Sequence, residues 1–156
     1  MALAFDLALA TGQRQGDLLK LTWSSYDGHR LIFRQGKLKR KVDMPVTSNL
    51  KRLLDAAFAR KRAMTILETP NGKPWTKSNF NNYRRPTVLA AGLDGLHFHD
   101  IRGTTCTTLA EAGCSPSEIA AVLGWTVSTV NSLLDTYQAM TAALSNAAVA
   151  KLEVRA

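Results

Sequence analysis

HDIRGTTCTTLAEAGCSPSEIAAVLGW, residues His99–Trp125, is the stretch on which the reading of this chain turns. Its first half predicts a helix from His99 to Ala112, stopped by Gly113. His99 and Arg102 stand three apart, one turn of that helix, so both can face the same ligand. Ser115-Pro116-Ser117-Glu118 then opens a second helix. Ser115 can cap it, Pro116 suits the first helical position, and Glu118 can reach back as the partner of a capping box. This helix runs to Leu123 and ends at Gly124, with Trp125 directly behind.

Working outward, one helix is expected over Val127–Tyr137 and a last one over Met140–Leu152. On the N-terminal side, a helix running from about Thr76 to Gly92 carries Pro86, which can kink or divide it. Leu50, Leu53, Leu54, Ala57 and Phe58 recur at helical spacing after Thr47, with Lys and Arg on the other face. Ahead of them, Thr22–Tyr26, Arg30–Phe33 and Val42–Val46 read as three short strands, with Asp27-Gly28 as a turn. Gln35-Gly36-Lys37-Leu38-Lys39-Arg40-Lys41 joins the last two strands as a Lys-rich hairpin. Two helices, residues 2–11 and 13–21, begin the chain, with Gly12 between them. The fold class is therefore mainly α with a small antiparallel β-sheet.

The 156 residues fit one domain with an ordinary apolar content. No apolar run is long enough to cross a bilayer. The apolar start is broken by Asp6 and lacks a preceding basic residue, so it reads as a helix of a cytoplasmic protein and not as a signal peptide. Cys106 and Cys114 read as two buried free thiols, without metal-ligand spacing. Charge is more telling. Residues 30–85 hold 15 of the 20 Lys and Arg but only Asp43, Asp55 and Glu68 as acids, a local excess of twelve, while the remainder sums to −4. Such asymmetry implies an anionic partner, and nucleic acid fits better than a membrane because no basic amphipathic helix with bulky aromatics is present.

Five elements occur in order: Thr11-Gly12-Gln13-Arg14 followed by Asp17-Leu18-Leu19; Lys37 in the hairpin before Val42–Val46; His99-x-x-Arg102; Leu123-Gly124-Trp125; and Tyr137. Together they resemble the catalytic domain of the tyrosine recombinases, or phage integrases, over nearly the whole chain. Asp17 stands where that family often has Glu, Gly103 where it has a bulkier residue, and Trp125 where it often has a second histidine. In-line attack on a phosphodiester spreads charge over the non-bridging oxygens, and the forked donors of Arg14 and Arg102 suit those oxygens. His99 can donate a hydrogen bond or assist proton transfer. The Trp125 indole can donate one bond but cannot shuttle protons. The resemblance implies that Lys37 protonates the leaving 5′-hydroxyl and that Tyr137 forms a 3′-phosphotyrosyl link. Strand cleavage and rejoining would then need no ATP, metal or other cofactor. The implied partners are double-stranded DNA and, for a full-length parent, further copies in a tetramer on DNA; no membrane and no small-molecule substrate is implied. Family members carry a helical DNA-clamping domain ahead of the catalytic one. The expectation is a single catalytic domain, residues 1–156, truncated before its first helix and lacking that clamp.

Each residue also has a plainer reading. Arg14 can pair with Asp17, Lys37 competes with Lys39 and Lys41, and Trp125 can be core. His97 is the decoy for His99, taken as structural because it lacks the spacing to Arg102. Tyr26 and Tyr83 compete with Tyr137. Glu118–Asn131 also reads as a helix-turn-helix offering Thr126, Ser128, Thr129 and Asn131 to a major groove, which would make the chain a non-catalytic regulator. A DNA-relaxing enzyme of the type IB topoisomerase kind would share the chemistry. The apolar side of the tail, from Met140 to Leu152, can pack on its own domain or dock on a neighbouring copy.

Overall fold

The computed structural model describes residues 1–37, 39–137, 149–150 and 153. The expected last helix, and the docking reading attached to it, fall largely outside these residues.

Helix α1 spans Ala2–Thr11 and ends where Gly12 takes the left-handed conformation, its N–H bonded to the Ala8 carbonyl at 2.7 Å. A Cβ at position 12 would collide with Leu123 and press on Thr105. Glycine is thus required here twice over, by backbone angle and by the close approach of two helices. Arg14 is extended at the start of a short α2, Gln15–Leu18. That helix is briefer than the expected 13–21. The Gln13 side chain is drawn into the interior, 1% exposed, and residues 20 and 21 tighten into shorter-range bonds.

The expected strand Thr22–Tyr26 is a correction: Trp23–Ser25 forms a 3₁₀ turn, and only Thr22 and Tyr26 make isolated bridges, to Thr65 and Leu31. The Thr22 and Ser24 hydroxyls bond each other at 2.7 Å, and the Ser25 N–H bonds the Thr22 carbonyl, so local polar groups outcompete a ladder. Trp23 turns inward and meets Phe58 edge-on at 5.2 Å. The sheet has two antiparallel strands, β1 Arg30–Arg34 and β2 Lys41–Pro45. Leu31 lies opposite Met44 and Phe33 opposite Val42, so one face enters the core while Arg30 and Asp43 pair on the other at 2.7 Å.

Helix α3, Ser48–Phe58, is capped by Thr47 and buries Leu50 and Leu54. Helix α4, Lys77–Ala90, is capped by Thr76 and continues through Pro86 as one element. Its buried Phe80 anchors it edge-on to Phe98 and Trp75. Helix α5, Asp100–Glu111, follows, with His99 at its N-cap. The capping box of α6, Pro116–Leu123, is present as expected. Ser115 Oγ accepts from the Glu118 N–H, and Glu118 Oε2 accepts from the Ser115 N–H at 2.7 Å, a cap worth about 1 kcal/mol. Gly124 stops α6 with φ 63°, and α7 runs Val127–Tyr137.

Two apolar clusters result. The larger joins α1, α2, the sheet, α3, Phe80 and Phe98. The smaller joins Cys106, Ile119, Ala120, Leu123 and Val130 of α5, α6 and α7. Both cysteines are free, but only Cys106 is fully buried, and burial pushes its thiol pKa up; Cys114 is half-buried. The seam between the clusters is tied by Thr105, whose hydroxyl bonds the Leu9 carbonyl at 3.0 Å.

Candidate active site

Three loops meet at this seam: Thr11–Arg14 after α1, Gln35–Arg40 between the strands, and Leu123–Thr126 after α6. Buried amides hold them together. Gln35 Nε2 donates to Gln13 Oε1 at 2.7 Å and to the Leu123 carbonyl at 2.8 Å. Gln13 Nε2 in turn donates to the carbonyls of Val122 at 3.1 Å and Thr11 at 3.0 Å. The Gly36 N–H donates to Asp17 Oδ1 at 2.8 Å, pinning the hairpin base to α2.

Arg102 lies under this junction, 2% exposed. Its guanidinium stacks on the Trp125 ring, 4.8 Å from the centroid. Burial, and then the charge of nearby Arg14, push its pKa down to about 10 despite the opposing pull of Asp17. Arg14 Nη1 and Arg102 Nη1 are both shut off from solvent with no acceptor. Asp17 Oδ2 also lacks a donor, and no Arg14–Asp17 ion pair forms among the described residues. The pairing reading of Arg14 therefore fails. Two guanidiniums stand near one carboxylate without pairing to it, so the pocket keeps a positive excess and unspent buried donors. Such donors are costly unless an anion meets them.

A groove of about 310 Å³ is lined by Arg14, Gln15, Gly16, Asp17, Lys37, Lys77 and His99. Arg14, Lys37 and His99 are thus gathered at one opening, while Arg102, close enough to Arg14 to feel its charge, stacks on Trp125 outside the lining. Lys37 and His99 are exposed, so His99 does not share the buried position of Arg102 one turn away. The Asp100 carboxylate reaches back to the His97 N–H at 2.7 Å and fixes the turn that presents His99. The groove continues through Gln15 and His99 into a second one lined by Asn81, Asn82, Arg84, Arg85 and His97. His97 lines the continuation and not the opening.

Tyr137 is the last residue of α7, the helix that follows Trp125. The competing tyrosines are poorly placed. Burial and a 2.9 Å bond to Asp55 push the Tyr26 pKa up to about 12, and Tyr83 stands edge-on to Trp75. The helix-turn-helix reading loses its readers in part: Thr126 caps α7 through the Thr129 N–H, and the two hydroxyls bond each other at 2.7 Å. Trp125, just ahead of them, is committed to Arg102.

Lys77, Gln15, Gln13 and Gln35 were not singled out from sequence. Lys77 belongs to the basic excess of residues 30–85, which signalled a charged surface without its location. The glutamines carry no charge pattern, and only their burial in a polar seam marks them.

The phage integrase family model matches residues 1–143. The chain is 30% identical over 113 residues to the integrase of Escherichia phage HK022, covering 65% of this chain and 32% of that protein. It is 29% identical over 123 residues to the shufflon-specific DNA recombinase of Escherichia coli, covering 77% and 30%. It thus spans about a third of the length of these curated relatives. Among solved structures, the lambda integrase catalytic core superposes with TM-score 0.67 at 28% identity, over 78% of this chain and 80% of that one. A lambda integrase dimer bound to a COC′ core site gives TM-score 0.74 at 24% identity, over 89% and 43%, a likeness of fold. With the matched segment covering most of its length and all three loops of the seam, the chain belongs to the phage integrase family.

Proposed function

We propose that this chain cleaves and rejoins DNA strands in site-specific recombination, with Tyr137 as the nucleophile. One observation carries the reading: Arg14 lines a basic groove with Lys37 and His99, and both it and nearby Arg102 keep a buried N–H group without an acceptor. A phosphodiester supplies the missing acceptors. In the proposed step, Tyr137 Oη attacks phosphorus and the P–O5′ bond breaks, giving a 3′-phosphotyrosyl ester and a free 5′-hydroxyl. Arg14 and Arg102 hold the non-bridging oxygens as their charge grows. His99 and the Trp125 indole donate further bonds to the same phosphate, and His99 assists removal of the tyrosine proton. Lys37 gives its proton to the departing O5′. Rejoining reverses each transfer, and because one ester replaces another, the cycle needs no ATP and no metal.

Double-stranded DNA is the proposed substrate, with residues 1–156 acting as one catalytic unit. Relatives support assembly as well: one solved neighbour is a lambda integrase tetramer bound to a Holliday junction. We extend that to a tetramer on two duplexes for the recombinase to which this catalytic unit belongs.

A nicked duplex that loses a short fragment after cleavage traps the covalent intermediate. The expected result is a protein–DNA adduct that survives denaturation and disappears in Tyr137→Phe. An adduct that persists in Tyr137→Phe overturns the assignment of the nucleophile. DNA binding without any adduct, unchanged by that substitution, returns the chain to the regulator reading. Relaxation of supercoiled plasmid without strand exchange moves it to topoisomerase chemistry.

A further inference from the structure

We infer that Gln35 is a positioning residue for Lys37, and that with Gln13 it forms a buried amide latch setting the distance between the leaving-group side and the phosphate side of the site. The inference rests on Lys37 acting as the general acid. Three observations carry it. First, Gln35 is completely buried, an unusual place for a hairpin amide beside an exposed lysine. Secondly, both of its N–H donors are spent across the seam, on Gln13 Oε1 and on the Leu123 carbonyl. Leu123 also receives the long 3.5 Å bond from Arg102 Nη2, so one carbonyl faces both the hairpin base and the phosphate-binding arginine. Thirdly, the latch leaves no room for slack. At Gly124, a Cβ would fall 2.5 Å from Gln35 Nε2.

The geometry explains how a lysine on a solvated loop can serve chemistry that needs positional accuracy. Gln35 N–H bonds the Arg40 carbonyl at 2.9 Å and its own carbonyl accepts from Lys39 at 3.0 Å, so the base of the loop is closed on Gln35 itself. The side chain of the same residue is anchored to the segments that carry Arg14 and Trp125. Lys37 lies two residues away. Its reach is thereby referenced to the arginines and not merely to the sheet.

The test compares two versions of the nicked duplex, one with oxygen and one with sulfur at the bridging 5′ position of the cleaved bond. A thiolate leaves without a proton, because its conjugate acid is far stronger than an alcohol. Lys37→Ala is expected to slow single-turnover cleavage of the oxygen substrate about 100-fold or more and to recover on sulfur. Gln35→Met, similar in length but without the amide, is expected to lose roughly tenfold to 100-fold on oxygen and to recover on sulfur in the same way. The double variant should be no slower than Lys37→Ala, since both act on one proton transfer. Equal slowing of Gln35→Met on both substrates, with Lys37→Ala rescued, overturns the inference. Failure of sulfur to rescue Lys37→Ala overturns the general-acid reading beneath it. Gln35→Glu keeps the shape and removes the donors, and serves where Gln35→Met does not fold. A measurement on the intact chain needs no turnover. Amide exchange should quicken together at Gly36–Arg40 and at Trp125 in either Gln35 variant, with α3 unchanged. Unchanged exchange at either segment overturns the latch.

Discussion

The candidate site has a buried half and an exposed half, and they are built on different principles. Arg102, Gln13 and Gln35 are buried in the seam between two apolar clusters, and half-buried Trp125 stacks on Arg102 beside them. Lys37, within the hairpin loop, and His99, at the N-cap of α5, stand in solvent. The buried half is fixed by packing and carries unpartnered buried donors, an arrangement that costs stability unless an anion meets them. The exposed half costs the fold little and depends on the buried half for its placement. Catalysis by preorganised charge needs the first arrangement, while proton transfer to a departing group needs a side chain able to reach it.

The sharpest way to break this division is at Arg102. Its charge is buried, faces Arg14 and lacks a full set of acceptors. Arg102→Met, similar in size and neutral, should lower cleavage about 10²- to 10³-fold, as loss of one preorganised donor set does. The same variant should be more stable than the parent by about 1–3 kcal/mol, since replacing buried charge by apolar volume commonly stabilises. Thermal melting with and without inorganic phosphate reads both effects. Phosphate should raise the parent's Tm and leave the variant's unchanged. The pH sign follows from the lowered pKa of Arg102. The destabilising charge is fully present at neutral pH and fades only as pH rises through about 10, where the folded chain releases that proton first. A variant that melts lower than the parent at neutral pH would show that Arg102 holds the seam together instead of straining it.

The exposed half should behave oppositely. Lys37→Ala is expected to leave Tm unchanged while slowing cleavage, because no packed contact is removed. His99→Gln should cost less, about tenfold, the worth of one hydrogen bond to a charged group, if glutamine keeps a donor near the phosphate. Circular dichroism melts beside single-turnover rates separate the halves: activity lost with stability kept for Lys37 and His99, activity lost with stability gained for Arg102. A large drop in Tm for Lys37→Ala would erase the distinction.

How much of this was legible in the sequence follows the same line. Helices α5, α6 and α7 were readable because their stop and start signals are local: Gly113, Ser115-Pro116 with Glu118, and Gly124. The strand expected at Thr22–Tyr26 failed because its aromatic and β-branched residues are also good at turning inward, and two hydroxyls settled the matter. Spacing was enough to single out the charged and aromatic candidates, and of these the fold gathers Arg14, Lys37 and His99 at one groove. That Arg102 is buried while His99, three residues earlier, is exposed was not readable, since spacing fixes a face of a helix and not what packs against it. The amide latch was invisible, because Gln13 and Gln35 bond main-chain carbonyls 109 and 88 residues away. Nothing in the type or spacing of two glutamines announces a contact across a tertiary seam.

The rim of the groove gives the smallest expected effect. Lys77 lines the opening beside Arg14 and Lys37, and Arg84 and Arg85 line its continuation. On the proposed reading, these groups would meet backbone phosphates flanking the cleaved one, contacts that position a duplex without reading its sequence. Lys77→Ala should weaken DNA binding several-fold at moderate salt and lower the slope of log affinity against log salt by about one. The cleavage rate at saturating DNA should not change, because a rim phosphate is held equally in the ground and transition states. A fluorescence titration across salt, paired with single-turnover cleavage, measures the two separately. If Lys77→Ala slowed cleavage at saturation, the groove would have to be divided differently, with Lys77 inside the site and the line between preorganised and recruited charge drawn through α4.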